Sequence, residues 1–275
     1  MEYNLFNTLK YTVVLINSVC TLKCKDCVTA TPYQKNKRNY PLEELKADID
    51  RYFEIVNAPL EHFDFIGGEP LLHPQLPELI LWCAEKYGNM FEEMRVLTNG
   101  TIAISDKLLD ACKQVKIRFL IDRYGDLSTH ADENTRILEE NGIPVRVTRY
   151  DGTDEQSNDW IDFGDFSFRN YSDADLQRMQ EDCCELIGES DTIMRHHLHI
   201  NNGKLGVCDR QVSAPDSVPL PECDYVDLRA DVSVELLREK LKEFKLRTIT
   251  CCQYCNGFIL DANKRVGVPV AVQVR

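Results

Sequence analysis

The chain has 275 residues, and its 45 acidic and 32 basic side chains give it a formal net charge of −13 at pH 7. This acidic balance argues against a nucleic-acid partner, because phosphates are bound mainly through lysine and arginine. The sequence has no apolar run near the ~20 residues that a membrane-spanning helix needs, and its start lacks the order of a signal peptide. We therefore expect a cytoplasmic protein that binds neither nucleic acid nor membrane.

Strand-like and helix-like patterns alternate along the first 150 residues. Apolar runs rich in β-branched and aromatic residues predict strands at residues 11–16, 62–66, 93–97, 116–121 and 144–150. Apolar residues at helical spacing predict helices at residues 42–56, 76–87, 106–115 and 132–141. Because a complete eight-unit barrel takes about 250 residues, the pattern predicts an α/β fold with a partial, TIM-like barrel of five or six βα units.

The composition changes after residue 150. Residues 151–175 are rich in Asp, Gly, Ser and Asn, which predicts a linker with one irregular strand. Four further elements are predicted beyond it: a helix at 174–184, a hairpin around 201–203, a proline-rich loop at 214–222 and a helix at 232–246. We place the domain boundary so that residues 1–170 form the barrel and residues 171–275 a small C-terminal region.

Twelve cysteines are too many for a protein that uses cysteine only as a small core residue. Disulfides are disfavoured in the cytosol, so closely spaced thiols there are expected to bind metal or to act in redox chemistry. Cys20, Cys24 and Cys27 follow the first predicted strand with Cys-x3-Cys-x2-Cys spacing. Three thiolates on one loop leave one iron of a 4Fe-4S cluster open to an exogenous ligand. A zinc loop with its fourth ligand from elsewhere is the alternative.

A second motif, Gly67-Gly68-Glu69-Pro70, follows the second predicted strand. Its glycines would let the backbone approach a ligand, and Glu69 could pair with an ammonium group. In βα barrels the functional loops follow the C-terminal ends of the strands. The two motifs are therefore expected at the same edge of the sheet.

Together these motifs resemble the hallmarks of the radical S-adenosylmethionine (SAM) enzymes. The resemblance implies a 4Fe-4S cluster on the three cysteines of the first motif, with the amino and carboxylate groups of SAM on its open iron. The Thr-Asn-Gly sequence at 98–100 also resembles the family, and Asp122 stands where the family often contacts the ribose. Asp26 stands where the family usually has an aromatic residue near the adenine. The residues that the resemblance places around SAM are Gly67, Gly68, Glu69, Pro70, Asn99 and Asp122.

Seven further cysteines lie beyond residue 180. One cysteine, a Gly-x4-Cys hairpin and a later Cys-x2-Cys resemble the twitch region of radical SAM enzymes, which holds a second 4Fe-4S cluster. Leu176, Met179 and Cys183 share one predicted helix face, which we assign to the core. The expected ligands are therefore Cys184, Cys208, Cys252 and Cys255, with Cys183 and Cys251 as the alternates. Zinc in the same four-thiolate site is the alternative metal.

The remaining candidate ligands have structural interpretations. Cys83 and Cys112 lie at apolar helix positions and are predicted to be small core residues, while Cys223 has no assigned role. The three histidines between residues 196 and 199 are expected to face solvent or the edge of the second cluster rather than to bind metal. They are His196, His197 and His199.

Two clusters in one small chain indicate that a substrate radical exchanges an electron with the second site. The size and cysteine layout resemble the 2-deoxy-scyllo-inosamine dehydrogenase type, which oxidises a secondary alcohol. The resemblance implies a small hydroxylated substrate such as a sugar or aminocyclitol. It also implies a one-electron donor such as flavodoxin or ferredoxin. Arg146, Arg149 and Tyr150, on or just after the fifth strand, are the candidates to hold or deprotonate the substrate.

A peptide maturase that crosslinks or epimerises a precursor is the rival enzyme class. Only 19 residues precede Cys20, too few for the leader-binding domain that many maturases carry, although a separate protein could supply it. A simple iron-sulfur electron carrier is the non-enzymatic alternative. The three-cysteine loop argues against it, because an open iron implies chemistry.

Overall fold

The computed structural model describes residues 9–150, 160–183, 197–243, 249–258 and 267–274. Its main sheet has eight strands. Helices connect successive strands of the first five and cover one face of the sheet. The strands are β1 (Tyr11–Leu15), β2 (Leu60–Ile66), β3 (Phe91–Thr98), β4 (Ile117–Arg123), β5 (Val145–Arg149), β7 (His197–Asn201), β8 (Lys204–Gly206) and β9 (Val226–Asp227). The helices are α1 (Leu42–Val56), α2 (Leu76–Tyr87), α3 (Asp106–Cys112), α4 (Ala131–Glu140), α5 (Asp173–Asp182), α6 (Asp209–Val212) and α7 (Val234–Glu243). A separate antiparallel pair joins β6 (Trp160–Ile161) to β10 (Gly267–Val268).

The strand order of the main sheet is β5-β4-β3-β2-β1-β7-β8-β9. The first six strands of this order are parallel, and β8 and β9 continue the sheet antiparallel. Six parallel strands with helices between them confirm the predicted α/β partial barrel. The observed strands and helices of the first 150 residues lie within a few residues of the predicted ones, and β6 is the irregular strand expected after residue 150.

Side chains of the parallel strands alternate between two environments, as strand geometry requires. Val14, Phe63 and Phe119 are fully buried in the large core between the sheet and the helices. On the opposite face, Val13 and Leu15 belong to a smaller apolar cluster. This second face is the barrel interior, and its C-terminal edge opens toward the predicted functional loops.

The sheet crosses the predicted domain boundary at residue 170, because β7 pairs in parallel with β1. The turn between β7 and β8 is also tied to α1 through the buried carboxylate of Asp48. Asp48, which is 1% exposed, accepts hydrogen bonds of 2.8 Å from the Gly203 N–H and from the Arg229 guanidinium. The hairpin that leads to Cys208 is therefore built onto the first βα unit. Within the described ranges, no helix is both long and apolar enough to cross a bilayer.

Candidate active site

The three-cysteine loop leaves the C-terminal end of β1. Cys24 is 7% exposed, and Cys20 and Cys27 are half-buried. The Sγ atom of Cys20 accepts a hydrogen bond from the Leu22 N–H at 3.4 Å. Burial raises the pKa of Cys20 to about 11 and that of Cys24 to about 12. These groups are protonated thiols at neutral pH, so a metal that binds them must displace their protons.

The segment of residues 267–274 packs against this loop. The Nε2 atom of Gln273 donates a hydrogen bond to Cys24 Sγ at 3.2 Å. Its backbone neighbours complete a short antiparallel pairing, because Lys25 N–H donates to Val272 O at 2.7 Å and Val274 N–H donates to Lys23 O at 2.8 Å. No pattern in the sequence indicates this contact, since the pairing joins positions about 250 residues apart.

The Gly-Gly-Glu-Pro motif packs directly on the start of the cysteine loop. A Cβ atom at Gly68 would lie 2.6 Å from the carbonyl carbon of Val19 and would overlap its oxygen. Asn17, which is 1% exposed, accepts from Gly68 N–H at 3.0 Å and donates to Glu69 O at 2.9 Å. The Glu69 N–H donates to Val19 O at 2.8 Å. The glycines are thus required for the close approach of two loops, and Asn17, which sequence reasoning missed, joins them.

Glu69 is completely buried and its carboxylate accepts three hydrogen bonds. The donors are Thr98 Oγ1 at 2.8 Å, Leu71 N–H at 3.0 Å and Asn99 N–H at 2.9 Å. Burial raises the pKa of Glu69 to about 7, although these three bonds oppose the increase. The carboxylate therefore fixes the end of β3 to the glycine motif.

A cleft of about 460 Å³ opens at the C-terminal ends of β1 to β4. It brings together residues of the cysteine loop and of three later strand ends. Among the residues predicted to bind the cluster or SAM, those that line it are Cys27, Gly67, Gly68, Asn99 and Asp122. Glu69 lies buried behind this surface, and Pro70 begins a short 3-10 helix of residues 70–72.

Asp122 and Asp26 bring two carboxyl groups to the cleft. Burial raises the pKa of Asp122 to about 6, while the Tyr124 hydroxyl, 3.4 Å away, and the Arg146 guanidinium lower it. Burial also raises the pKa of Asp26. Both carboxyl groups line the cleft, where a ligand can reach their oxygens.

Three aromatic rings form one wall of the cleft. Tyr124 lies 5.2 Å from Tyr150 and 5.3 Å from Trp160, measured between ring centroids. Tyr150 was a predicted site residue, whereas Tyr124 and Trp160 were not. Neither residue belongs to a recognisable sequence motif. Trp160 follows the linker, and Tyr124 is the first residue after β4.

The two predicted arginines lie on opposite faces of β5. Arg146 is paired with Leu120 on the face that also carries Asp122, whereas Arg149 is paired with Arg123 on the other face. Arg149 is exposed, and neither arginine is among the described residues that line the cleft. The structure thus places Tyr150 in the cleft wall and Arg146 near Asp122. Arg149 lies neither in the cleft wall nor near Asp122.

A second, much smaller cavity is lined by thiols. Cys183 is the first residue after α5 and has an extended backbone, so it has left the helix face on which it was predicted. Cys184 lies outside the described residues. The cysteines that line the cavity are Cys183, Cys208, Cys251, Cys252 and Cys255.

Arg210 supplies a buried positive charge to the same cavity. It is 4% exposed, and its Nη2 atom donates to Phe163 O at 3.2 Å and to Gly164 O at 3.1 Å. Among the described residues, no acceptor lies within hydrogen-bond distance of its buried Nε atom. A guanidinium beside several thiols suits an anionic thiolate-bound group, because buried charges need a partner.

The metal that the thiol cavity would hold is not decided by the geometry of the side chains. In the described part of the chain, which leaves out Cys184, no three His, Cys, Asp or Glu side chains converge closely enough to hold a single metal ion. This finding applies equally to the first cysteine loop and to the thiol cavity. Zinc in a four-thiolate site therefore stays the alternative to a cluster.

The cleft and the thiol cavity share a wall. Val28, Phe163 and Phe258 line both spaces, and the two phenylalanine rings lie 5.3 Å apart between centroids. The two sites are therefore separated by a single layer of apolar side chains.

The other candidate ligands are placed clearly. Cys83 and Cys112 are buried in the main core, as predicted, and Cys223 is exposed. Of the two positions expected for His197 and His199, the one facing solvent is wrong, because both are buried on β7. His199 is hydrogen-bonded at 2.8 Å to Asp209, which lines the thiol cavity. His196 lies outside the described residues.

Comparison with known proteins defines the class. The family model described as the radical SAM superfamily matches residues 14–163, more than half of the chain, and the chain belongs to this superfamily. The family implies a 4Fe-4S cluster and SAM. The donor set in the first loop fits this requirement, because three cysteines lie beside a cleft whose walls carry the other family motifs.

Two relatives are GTP 3′,8-cyclases. That of Chlorobaculum tepidum is 28% identical over 108 residues, which are 38% of this chain and 29% of the relative. That of Syntrophomonas wolfei is 26% identical over 153 residues, 50% of this chain and 45% of the relative. The matched segment thus spans less than half the length of either relative.

Solved structures share the fold over most of the chain. A crystal structure of BtrN in complex with AdoMet and 2-DOIA aligns with a TM-score of 0.54 at 14% identity, covering 90% of this chain and 93% of that one. Native anSMEcpe with bound AdoMet aligns with a TM-score of 0.56 at 15% identity, covering 91% and 89%. At these identities the likeness concerns the fold alone.

Proposed function

We propose that Cys20, Cys24 and Cys27 hold a 4Fe-4S cluster and that SAM occupies the adjoining cleft. A cluster with SAM supplies, when bound, one electron and a deoxyadenosyl radical that takes a hydrogen atom from substrate. The chain contributes the rest. The glycine motif and Asn99 line the cleft beside the cluster loop, and Asp122 is positioned to accept hydrogen bonds from the ribose hydroxyls. Tyr124 and Trp160 offer aromatic surfaces for the adenine that Asp26 does not provide.

A second cluster is proposed in the thiol cavity, with Cys183, Cys208, Cys252 and Cys255 as ligands. Cys183 is preferred to Cys184 because it lines the cavity from the end of α5. Cys251 is not assigned as a ligand, because its thiol donates a hydrogen bond to Arg210 O at 3.5 Å. Arg210 would offset the negative charge of the thiolates. This arrangement corresponds to the single auxiliary cluster of a twitch-type region.

The reaction that we propose is oxidation of a secondary alcohol to a ketone in a small hydroxylated molecule, such as a sugar or aminocyclitol. The carbinol carbon loses a hydrogen atom, and its hydroxyl then loses a proton while one electron passes to the auxiliary cluster. The shared wall of Val28, Phe163 and Phe258 carries this proposal, because a substrate in the cleft lies one side-chain layer from the thiol cavity. Tyr150, on the cleft wall, is the proposed contact to the reacting hydroxyl. BtrN, which shares the fold, was crystallised with AdoMet and 2-DOIA.

Two other substrate classes have an observation in their favour. The GTP 3′,8-cyclase relatives favour a purine nucleotide, although they match only part of this chain. The anSMEcpe fold was also crystallised with AdoMet and a peptide, which favours a peptide maturase. The cleft is open to solvent, so its size does not favour one of the three classes.

The deciding experiment follows deuterium. The anaerobically reconstituted chain is incubated with SAM, dithionite and one of three substrates: an aminocyclitol deuterated at its carbinol carbon, GTP, or a cysteine-containing peptide. We expect one deuterium in 5′-deoxyadenosine and a ketone product from the aminocyclitol alone. A Cys252→Ala/Cys255→Ala variant should still cleave SAM but make no ketone, whereas Cys223→Ala should behave as wild type. Turnover of GTP or the peptide, with polyols inert, would replace the dehydrogenase proposal.

A further inference from the structure

A basic surface with an apolar centre lies on the outer side of the first cysteine loop. It consists of Lys23, Lys25, Tyr33 and Val272, called here the loop surface. The lysines are exposed, Tyr33 is 38% exposed and Val272 is 43% exposed. Hydrogen bonds hold these residues together, because Tyr33 Oη donates to Lys25 O at 2.7 Å and Lys25 N–H donates to Val272 O at 2.7 Å.

The charge of this region is opposite to that of the molecule. Residues 23–38 contain five basic side chains and one acidic side chain, in a chain whose net charge is −13. The one acidic residue of this range, Asp26, lines the cleft. Burial raises the pKa of Tyr33 and the nearby Asp26 and Asp165 carboxylates raise it further, so both acidic groups border Tyr33; Asp165 is paired with Arg169 at 2.9 Å. The packed segment of residues 267–274 adds no charged side chain. Lys35 and Lys37, both exposed, extend the positive charge beyond Tyr33.

The loop surface lies directly over Cys24 of the first cluster site. Lys23 and Lys25 flank Cys24, and Val272 precedes the Gln273 side chain that contacts Cys24 Sγ at 3.2 Å. Cys24 itself is 7% exposed, and Gln273 forms part of the layer that covers its sulfur. The cleft, by contrast, reaches the cluster loop from the opposite side and is needed for SAM and substrate.

From these observations we infer that the loop surface docks a small acidic one-electron carrier protein. The inference rests on the proposed cluster at Cys20, Cys24 and Cys27. An acidic carrier is repelled by most of a chain of charge −13 and attracted here, so charge directs it to this one approach. A small apolar centre inside a charged rim is the composition of transient complexes. In the step served, the carrier loses one electron and the cluster gains it, with no bond made or broken.

The test compares two double charge reversals of equal size. Lys23→Glu/Lys25→Glu changes the loop surface. Lys10→Glu/Lys116→Glu changes two exposed lysines just before β1 and β4, at the opposite edge of the sheet. Each reconstituted protein is reduced either by flavodoxin hydroquinone, an acidic probe, or by dithionite, which needs no docking surface. Cluster reduction and 5′-deoxyadenosine formation are followed at several ionic strengths, and flavodoxin binding is measured by calorimetry.

We expect the loop variant to lose about tenfold or more in flavodoxin-driven reduction at low salt, with dithionite-driven cleavage unchanged. Added salt should slow flavodoxin-driven reduction of the wild type and of the control, because screening weakens their attraction for flavodoxin. Salt should not slow reduction of the loop variant, because there it weakens a repulsion. Equal flavodoxin rates in all three proteins would overturn the docking proposal and leave the enzyme proposal intact. If the wild type formed no 5′-deoxyadenosine with dithionite, the enzyme proposal would be overturned instead. If the wild type were a dimer and the loop reversal dissociated it, the loop surface would be a contact between copies of the chain. That result would overturn the carrier-docking proposal.

Discussion

Replacing Glu69 by Gln tests how the glycine motif works. The carboxylate is completely buried and accepts hydrogen bonds from Thr98, Leu71 and Asn99. An alanine there would leave three buried donors without an acceptor, which costs about 1–3 kcal/mol for each group. Gln keeps the shape and removes the titration, but its NH2 group faces one of the three donors, so the test is how the difference between the two proteins changes with pH and not its size at one pH.

The magnitude follows from the pKa of Glu69, which burial raises from 4.5 to about 7. A shift of this size corresponds to about 3 kcal/mol at 1.36 kcal/mol for each pH unit. Between pH 4.5 and 7 the folded chain holds this proton and the unfolded chain does not. The contribution of Glu69 to the free energy of unfolding is therefore complete at low pH and is lost as the pH rises through 7.

Urea denaturation of the reduced wild type and the Glu69→Gln variant, each at pH 5 and pH 8, measures this effect. From pH 5 to pH 8, the free energy of unfolding of the wild type should fall by about 3 kcal/mol more than that of the variant. A difference between the proteins that stays constant with pH would refute the assignment of a raised pKa.

The same variant separates two roles of the carboxylate. If Glu69 also accepts a hydrogen bond from the amine of SAM, the cluster-loaded variant should lose about 1.5–3 kcal/mol of SAM binding, roughly ten- to a hundredfold in affinity. Titration calorimetry gives this number directly. Unchanged SAM affinity would restrict Glu69 to holding the end of β3 against the glycine motif.

Three further changes have definite expected outcomes. Gly68→Ala should destabilise the chain by about 1–3 kcal/mol in thermal unfolding, because its Cβ would overlap the Val19 carbonyl; an unchanged melting temperature would contradict the packing of the two loops. Cys183→Ser should lower the iron content from about eight to about four per chain, while Cys223→Ser keeps it, and equal iron in both would return the ligand role to another cysteine. Tyr150→Phe should slow ketone formation about a hundredfold with SAM affinity intact; a normal rate would remove Tyr150 from the reaction.

The sequence was sufficient for the barrel because each βα unit carries its own local signal. Strand and helix periods are set by nearest neighbours, and the functional loops of such folds follow strand ends. This reasoning placed the cysteine loop and the glycine motif at one edge, and the structure packs them in direct contact. It could not supply Asn17, whose role depends on two backbone groups 51 and 52 positions away.

Two features of the site could not be predicted from the sequence motifs alone. Arg146 and Arg149 are three positions apart on one strand, and a strand repeats every two residues, so the pair occupies opposite faces. Cys183 was assigned to a helix face, but α5 ends at Asp182 and the backbone becomes extended at the next residue. Leu176, on the same predicted face, is buried, and the partly buried Met179 lines the thiol cavity.

The contact between Gln273 and Cys24 has a consequence for folding and local opening. It joins side chains that are 249 positions apart, and β6 likewise pairs with the distant strand β10. Closing loops of such length is a non-local event in folding. The cysteine loop is therefore fully covered only when residues 267–274 have packed against it, and local detachment of that segment would uncover Cys24 without unfolding the sheet.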